Sequence, residues 1–157
     1  MTASDTRGKM LAFELLLLLQ TLAVLVILWS MLPIYREVWE HPGHQLNYLP
    51  EPIRLVAAPI LFHFVYWFRL LRVPIPAIKT NLLLSHIVPF LGRLSFIFGT
   101  SFFALLVYRH LPSLVAVTDP FDALLRFIIT FGILFSLYCY SIELERLGVA
   151  LRPPPKP

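Results

Sequence analysis

Long apolar runs separated by short polar segments make up most of the chain. Four such runs cover residues 10–32, 53–71, 84–108 and 120–142. A helix of about 20 apolar residues spans the roughly 30 Å hydrocarbon core of a bilayer. The pattern therefore predicts an all-α fold, an integral membrane four-helix bundle that forms one domain with four transmembrane helices.

Proline and aspartate residues mark where these helices are predicted to begin and end. Pro33 is predicted to end the first helix, and a short helix at 34–40 is predicted to lie flat on the membrane surface. Asp119 precedes Pro120 and has the side chain expected of an N-cap, so the fourth helix is predicted to begin at Pro120. The proline-rich tail at 152–157 is predicted to be disordered.

The composition indicates lipid surroundings. Hydrophobic residues make up 58% of the chain and charged residues 14%, whereas a soluble domain is nearer half apolar and about a quarter charged. The single cysteine, Cys139, excludes an intramolecular disulfide. The first apolar run is longer than the core of a signal peptide and ends without a small-x-small cleavage pattern, so we expect an uncleaved signal anchor.

The distribution of Lys and Arg predicts the orientation of the chain. Nine of the thirteen lie on the side that holds both termini: Arg7, Lys9, Arg69, Arg72, Lys79, Arg93, Arg146, Arg152 and Lys156. The other four lie on the opposite side: Arg36, Arg54, Arg109 and Arg126. Basic residues are enriched in cytoplasmic segments, so both termini are predicted to be cytoplasmic, N-in and C-in. We expect a bacterial inner membrane, with an organellar membrane as the alternative.

Ionisable residues inside the apolar runs are the most informative feature of the sequence. Glu14 lies about one turn inside the first run, and Arg93 lies at a similar depth in the third. A charge at the bilayer centre costs about 2.5–3.5 kcal/mol on insertion scales, so a partner is expected. We predict a structural pair between Glu14 and Arg93, with Arg69 and Glu143 near the same layer. The alternative, in which the side chain bends to the headgroups, is expected for Arg54, Arg69, Arg109 and Arg126.

Five histidines raise metal and haem hypotheses without defining a site. His41 and His44 flank a Pro-Gly break, which fixes no helical spacing for metal ligands. His63 lies in the middle of the second run, and a haem there would need His86, which lies nearer the cytoplasmic end. We expect His63 to hydrogen-bond a neighbouring helix instead, through Ser95, Thr100 or Ser101. No cofactor, metal or catalytic site is predicted.

Small residues give the third predicted helix a packing face. Ser95 and Gly99 form a small-xxx-small pair, and Gly92 lies one heptad before Gly99. Such residues allow helix backbones to approach closely in a membrane. We therefore predict that Ser95 and Gly99 pack against another helix, within the bundle or in a partner.

One short segment resembles a known family. Pro89-Phe90-Leu91-Gly92, followed by Gly99-Thr100, resembles the start of the pore-lining helix of the MotA/TolQ/ExbB proton channels. Arg93 interrupts the apolar run of that pattern, and Phe96 stands where the family has a threonine. The resemblance covers residues 89–100 alone and implies a channel-like alternative without assigning the chain to the family.

Taken together, these features favour a non-enzymatic accessory, assembly or stabilising subunit of a larger membrane protein complex. The expected partners are the lipid bilayer and other integral membrane proteins, or further copies of this chain. Nucleic acid is not expected, because no basic patch lies apart from the apolar runs. Two alternatives stay open: a small homo-oligomeric ion channel or transporter-like protein, and a membrane redox protein that binds haem through His63.

Overall fold

The computed structural model describes residues 3–40, 52–76, 78–115 and 120–153, and every regular element in these ranges is a helix. Each helix contains a segment long and apolar enough to cross a membrane. The all-helical architecture and the number of helices are therefore as predicted. The bounds are α1 Ala3–Glu40, α2 Pro52–Arg72, α3 Leu82–Val115 and α4 Pro120–Ala150, and the apolar segments are Gly8–Glu37, Ile53–Arg72, Leu82–Leu105 and Phe127–Ala150.

Helix α1 continues through Pro33 instead of ending there. The helix has 38 residues with Pro33 inside it, so the two predicted pieces form one element about 57 Å long. The predicted break is wrong because a proline removes only one backbone hydrogen-bond donor, and the helix continues beyond it, with Arg36 and Glu40 paired one turn apart along α1. Beyond Pro33, the Tyr35 ring packs 5.3 Å from the Phe98 ring of α3, which holds this end against the bundle.

Helices α3 and α4 extend past their predicted bounds of 84–108 and 120–142. Asn81 caps α3, because its side-chain oxygen accepts a hydrogen bond from the Leu84 backbone N–H at 3.1 Å. The Asn81 backbone N–H donates to the Leu151 carbonyl at 2.9 Å, which ties the start of α3 to the end of α4. The charged residues at 143–146, just past the predicted end of the fourth helix, lie inside α4, and two of them, Glu143 and Glu145, have ion-pair partners in the bundle.

Three sequence predictions concern residues outside the described ranges. These are the pair of histidines His41 and His44, the Asp119 cap, and residues 154–157 of the proline-rich tail.

The bounds of α2 differ from the predicted 53–71 by one residue at each end.

The four helices pack as two antiparallel pairs. Helix α1 packs against α2 and helix α3 against α4, and the pairs meet where α4 contacts α2 and α1 and where α1 contacts α3. Glycines allow close approach within the α3–α4 pair. A Cβ atom at Gly92 would lie 3.0 Å from the Leu144 Cβ, and one at Gly99 would overlap the Leu137 side chain. The α3–α4 pair therefore depends on small residues at these positions.

Apolar side chains fill the interior, and apolar side chains also cover the outside. Phe62, Ile27 and Leu137 are fully buried. On the outside, Leu15 is 65% exposed and Phe64 is 71% exposed. An outer surface of this kind suits contact with lipid or with other membrane proteins, because water would make its exposure costly.

Candidate functional site in a charged layer of the bundle

Five ionisable side chains lie at one level of the bundle, and we call them the charged layer: Glu14, Arg69, Arg93, Glu143 and Glu145. The contacts between helices define this level. The ring of Phe13, next to Glu14, lies 4.9 Å from the Arg69 guanidinium carbon. Arg69 pairs with Glu143, and Arg93 pairs with Glu145, two residues further along α4. All four helices therefore contribute to the charged layer.

Arg69 and Glu143 form a buried ion pair between α2 and α4. Their side chains are 2% and 6% exposed. The prediction that Arg69 bends toward the headgroups is wrong, because Arg69 shares the buried face of α2 with Phe62 and Tyr66, and α2 contacts both α1 and α4. Removing one partner of such a pair leaves an uncompensated charge and costs about 3–5 kcal/mol. The pair therefore locks α2 to α4.

A row of polar contacts continues from the charged layer toward the middle of the bundle. The Tyr140 hydroxyl of α4 donates to the Thr21 Oγ1 of α1 at 3.2 Å. His63 Nε2 lies 3.1 Å from Ser136 Oγ. The hydroxyl proton of Ser136 is donated to the Gly132 carbonyl at 2.8 Å, so Ser136 Oγ is left to accept a hydrogen bond from Nε2–H of His63.

The predicted partners of His63 lie on a helix that does not reach it. Ser95, Thr100 and Ser101 belong to α3, and α2 and α3 make no contact with each other in the described residues. Ser95 and Thr100 instead donate to carbonyls of their own helix. His63 does bond to a neighbouring helix, but that helix is α4 and the partner is Ser136.

Glu14 and Arg93 are not brought together. Arg93 Nη2 donates to Glu145 Oε1 at 2.7 Å. Glu14 is exposed on α1 and forms no ion pair with any residue in the described ranges. The physical reason is the order in which the helices pack: α3 packs mainly against α4, so α4 supplies the partner of Arg93.

Ser95 and Gly99 lie on the packed side of α3. Ser95 is 9% exposed and donates to the Gly92 carbonyl at 2.8 Å. Gly99 faces Leu137 of α4 with no room for a Cβ atom. The small-residue face of α3 is therefore directed at α4 within the same chain.

Gln20 is a buried polar residue that the sequence analysis did not single out. Its side chain is completely buried, and neither its amide nitrogen nor its amide oxygen has a hydrogen-bond partner among the residues that the structure describes. Gln20 shares the inward face of α1 with Phe13 and Ile27, each seven residues away. The signal in the sequence that could have identified it is an amide side chain in the middle of the apolar run 10–32, because a polar group in a spanning helix is expected to face the bundle interior.

Three side chains of the charged layer face outward, namely the paired Arg93 and Glu145 and the separate Glu14. The side chains of Arg93 and Glu145 are 64% and 54% exposed, although Arg93 lies inside the apolar segment Leu82–Leu105. Glu14 is exposed inside Gly8–Glu37. Ionisable groups in spanning helices normally face the bundle interior or a cavity. These three side chains are therefore exceptions to that pattern on the outer surface of the bundle.

No metal or haem site is assembled within the described ranges. The described residues contain no group of three or more His, Cys, Asp or Glu that could hold a metal ion. His86 is exposed near the start of α3, and α3 does not contact the helix that carries His63.

No known protein family, characterised protein or solved structure matches this chain. The comparisons thus do not extend the resemblance of residues 89–100 to the proton-channel family. The candidate functional site is defined by the geometry of the charged layer, with Arg69 and Glu143 inside the bundle and Glu14, Arg93 and Glu145 on its outer surface.

Proposed function

We propose that the chain is a non-enzymatic subunit that packs beside a larger integral membrane protein in an accessory, assembly or stabilising role. The observation that carries this proposal is the outward carboxylate of Glu14. It lies inside the apolar segment Gly8–Glu37, and it has no ion-pair partner in the described residues.

The surroundings of Glu14 favour a protein partner over lipid. Its neighbours on the outer face of α1, Leu11, Leu15 and Leu18, are 53%, 65% and 56% exposed. A carboxylate among leucines is costly in hydrocarbon unless a cation or hydrogen-bond donor meets it. A partner helix that places a Lys or Arg at this depth would supply the cation and cover the leucines.

The engagement of the inward polar groups supports a structural role over chemistry inside the bundle. Arg69 pairs with Glu143, Tyr140 donates to Thr21, and His63 bonds to Ser136. Each contact joins two helices, so these groups act as attachments between helices. The buried Gln20 amide also has no partner among the described residues, but the outward charges are the polar groups that a partner could reach.

The orientation that we propose puts both termini in the cytoplasm, at the end of the bundle that holds the charged layer. The excess of Lys and Arg at this end supports it. Reporter tags at residues 1 and 157 are expected to give cytoplasmic signals at both ends. Tags at the two ends that report from opposite faces of the membrane would contradict an even number of membrane crossings.

The test of the proposed function is affinity purification of the full chain from its native membrane in mild detergent. We expect a larger membrane protein at fixed stoichiometry with the wild-type chain, and at least roughly tenfold less of it with Glu14→Gln. Glu40→Gln is the matched control, because Glu40 is an exposed carboxylate at the end of α1 that pairs with Arg36. Equal recovery with Glu14→Gln, or no stoichiometric partner at all, would refute the proposal.

The alternative function is a small homo-oligomeric ion channel or transporter-like protein. One observation favours it, namely the run of polar groups from Glu143 to His63 inside the bundle. Purified protein in liposomes should then pass protons or small ions, and His63→Leu should reduce the flux. Absence of flux from a well-folded wild-type preparation would eliminate this alternative.

A further inference from the structure

We propose that the outward pair Arg93–Glu145 binds the same pair on a second copy of this chain, so that α3 and α4 form the face of a symmetric homodimer. This inference concerns helices other than the one that carries Glu14. It holds whether or not the larger partner proposed above exists.

The first argument is the unused bonding capacity of the pair. An arginine has five N–H donors and an ionised carboxylate has two acceptor oxygens. The contact described here joins Nη2 to Oε1 at 2.7 Å. With side chains 64% and 54% exposed, the remaining donors and the second oxygen point toward whatever covers the bundle. Hydrocarbon offers them no partner.

The second argument is that both charges lie at the same height on neighbouring helices. Helices α3 and α4 are antiparallel, and Gly92, next to Arg93, packs against Leu144, next to Glu145. The close approach at Gly92 brings the two charges onto one face of the bundle. The face therefore presents a positive and a negative group side by side.

The third argument is symmetry. Two copies inserted in the same direction lie at the same depth, and a two-fold axis along the bilayer normal makes their faces self-complementary. Such an axis places Arg93 opposite Glu145 of the second copy, and Glu145 opposite Arg93. The result is a closed ring of four alternating charges, in which each carboxylate is flanked by two guanidinium groups. An unrelated partner would need both charges at the correct depth.

The apolar surroundings of the pair suit the same contact. Phe90 and Ile97 on α3 are 61% and 58% exposed, and Tyr138 and Val149 on α4 are 48% and 57% exposed. These side chains flank the charges above and below, and the Tyr138 ring packs against Phe96 at 5.7 Å. A ring of charges surrounded by apolar contacts is shielded from competing water, which strengthens the ion pairs.

The test is a charge swap that keeps the pair inside each copy. The double variant Arg93→Glu/Glu145→Arg retains an ion pair between α3 and α4 but reverses the order of charges on the face. Donor-labelled and acceptor-labelled proteins are mixed in liposomes, and energy transfer between copies is measured. We expect wild type to associate with wild type and swap with swap, and wild type with swap at least roughly tenfold more weakly, since like charges would face each other.

The exposed pair Arg36–Glu40, within α1, provides the control. The variant Arg36→Glu/Glu40→Arg is expected to associate with wild type as wild type does with itself. Association between wild type and the Arg93/Glu145 swap at the undiminished level would overturn the proposal, as would the absence of any wild-type self-association.

A cysteine cross-link keeps the proposal testable if the swap variant does not fold. In a Cys139→Ala background, Ile97→Cys lies beside the proposed axis and is expected to form a disulfide between copies under mild oxidation. Ile60→Cys, on the exposed side of α2 at 63% exposure, is expected to form none. A cross-link at residue 60 without one at residue 97 would place the dimer face elsewhere and refute the inference.

Discussion

Replacing Arg69 with Met is expected to destabilise the bundle by about 3–5 kcal/mol, because Glu143 would be left as a buried and unpaired charge. The magnitude follows from the burial of the two side chains, which are 2% and 6% exposed, so water cannot take over the role of the missing partner. The variant also loses the contact of the guanidinium with the Phe13 ring, which adds about 0.5–2 kcal/mol. Glu143→Leu is expected to cost a similar amount by leaving Arg69 unpaired.

The double variant Arg69→Met/Glu143→Leu separates the net contribution of the ion pair to stability from the cost of leaving one of its charges unpaired. Apolar side chains of similar volume often replace a buried ion pair at little cost, so the double variant is expected to lie within about 2 kcal/mol of wild type. A double-mutant cycle then gives a coupling of at least about 4 kcal/mol. The assay is reversible unfolding in mixed micelles, followed by the fluorescence of the three tryptophans.

An exposed pair provides the comparison within the same chain. Arg93→Met removes an ion pair whose members are 64% and 54% exposed, and the Glu145 carboxylate left behind can turn toward the headgroups, so the single copy should lose less stability than with Arg69→Met. A cost below about 1 kcal/mol for Arg69→Met, or a double variant as unstable as the two single changes added together, would refute the assignment of Arg69 and Glu143 as a buried pair.

Further predictions concern packing and a buried amide. Gly99→Ala should lower the stability of the bundle by about 1–3 kcal/mol, since its Cβ would overlap the fully buried Leu137. Gly132→Ala is the matched control: its Cβ would have nothing within 4 Å, so the change should leave the stability unaltered or raise it by up to about 1 kcal/mol. Equal effects in the same unfolding assay would contradict the α3–α4 contact. Gln20→Leu should stabilise the bundle by about 1–3 kcal/mol, since it removes two buried polar atoms that have no hydrogen-bond partner in the described part of the chain; a loss of stability would contradict this account of Gln20.

The number of helices could be predicted from the sequence, whereas the order in which they pack could not. Apolar runs as long as the bilayer is thick identify spanning helices directly, because lipid requires the backbone to be bonded internally. Periodicity does not distinguish the inner from the outer face, since lipid and protein interiors are similarly apolar. The sequence placed Glu14 and Arg93 at one depth, but the contacts of α3 with α4 made Glu145 the partner of Arg93.

Whether each charged side chain faces the interior or the outer surface depends on how its helix is rotated about its own axis, and this rotation could not be predicted from the sequence. Arg69 was expected to bend toward the headgroups, yet it lies three residues after buried Tyr66 and therefore faces the interior. Gly92 faces α4. Arg93 is the next residue on the helix, so its side chain points to the edge of the contact between α3 and α4 and is exposed there. Pro33 misled the prediction for a different reason, because a proline inside a helix removes one backbone donor but does not always end the helix.

The most direct test of the outward charges as contact sites is site-specific photocross-linking in the native membrane. A photoreactive side chain at position 18, 97 or 60 reports what covers that part of the surface; position 18 lies one turn from Glu14 on the outer face of α1 and leaves its carboxylate in place. The account predicts a larger protein cross-linked at 18, a second copy of this chain at 97, and lipid alone at 60. Lipid adducts alone at all three positions would contradict the assignment of Glu14, Arg93 and Glu145 to contacts with protein.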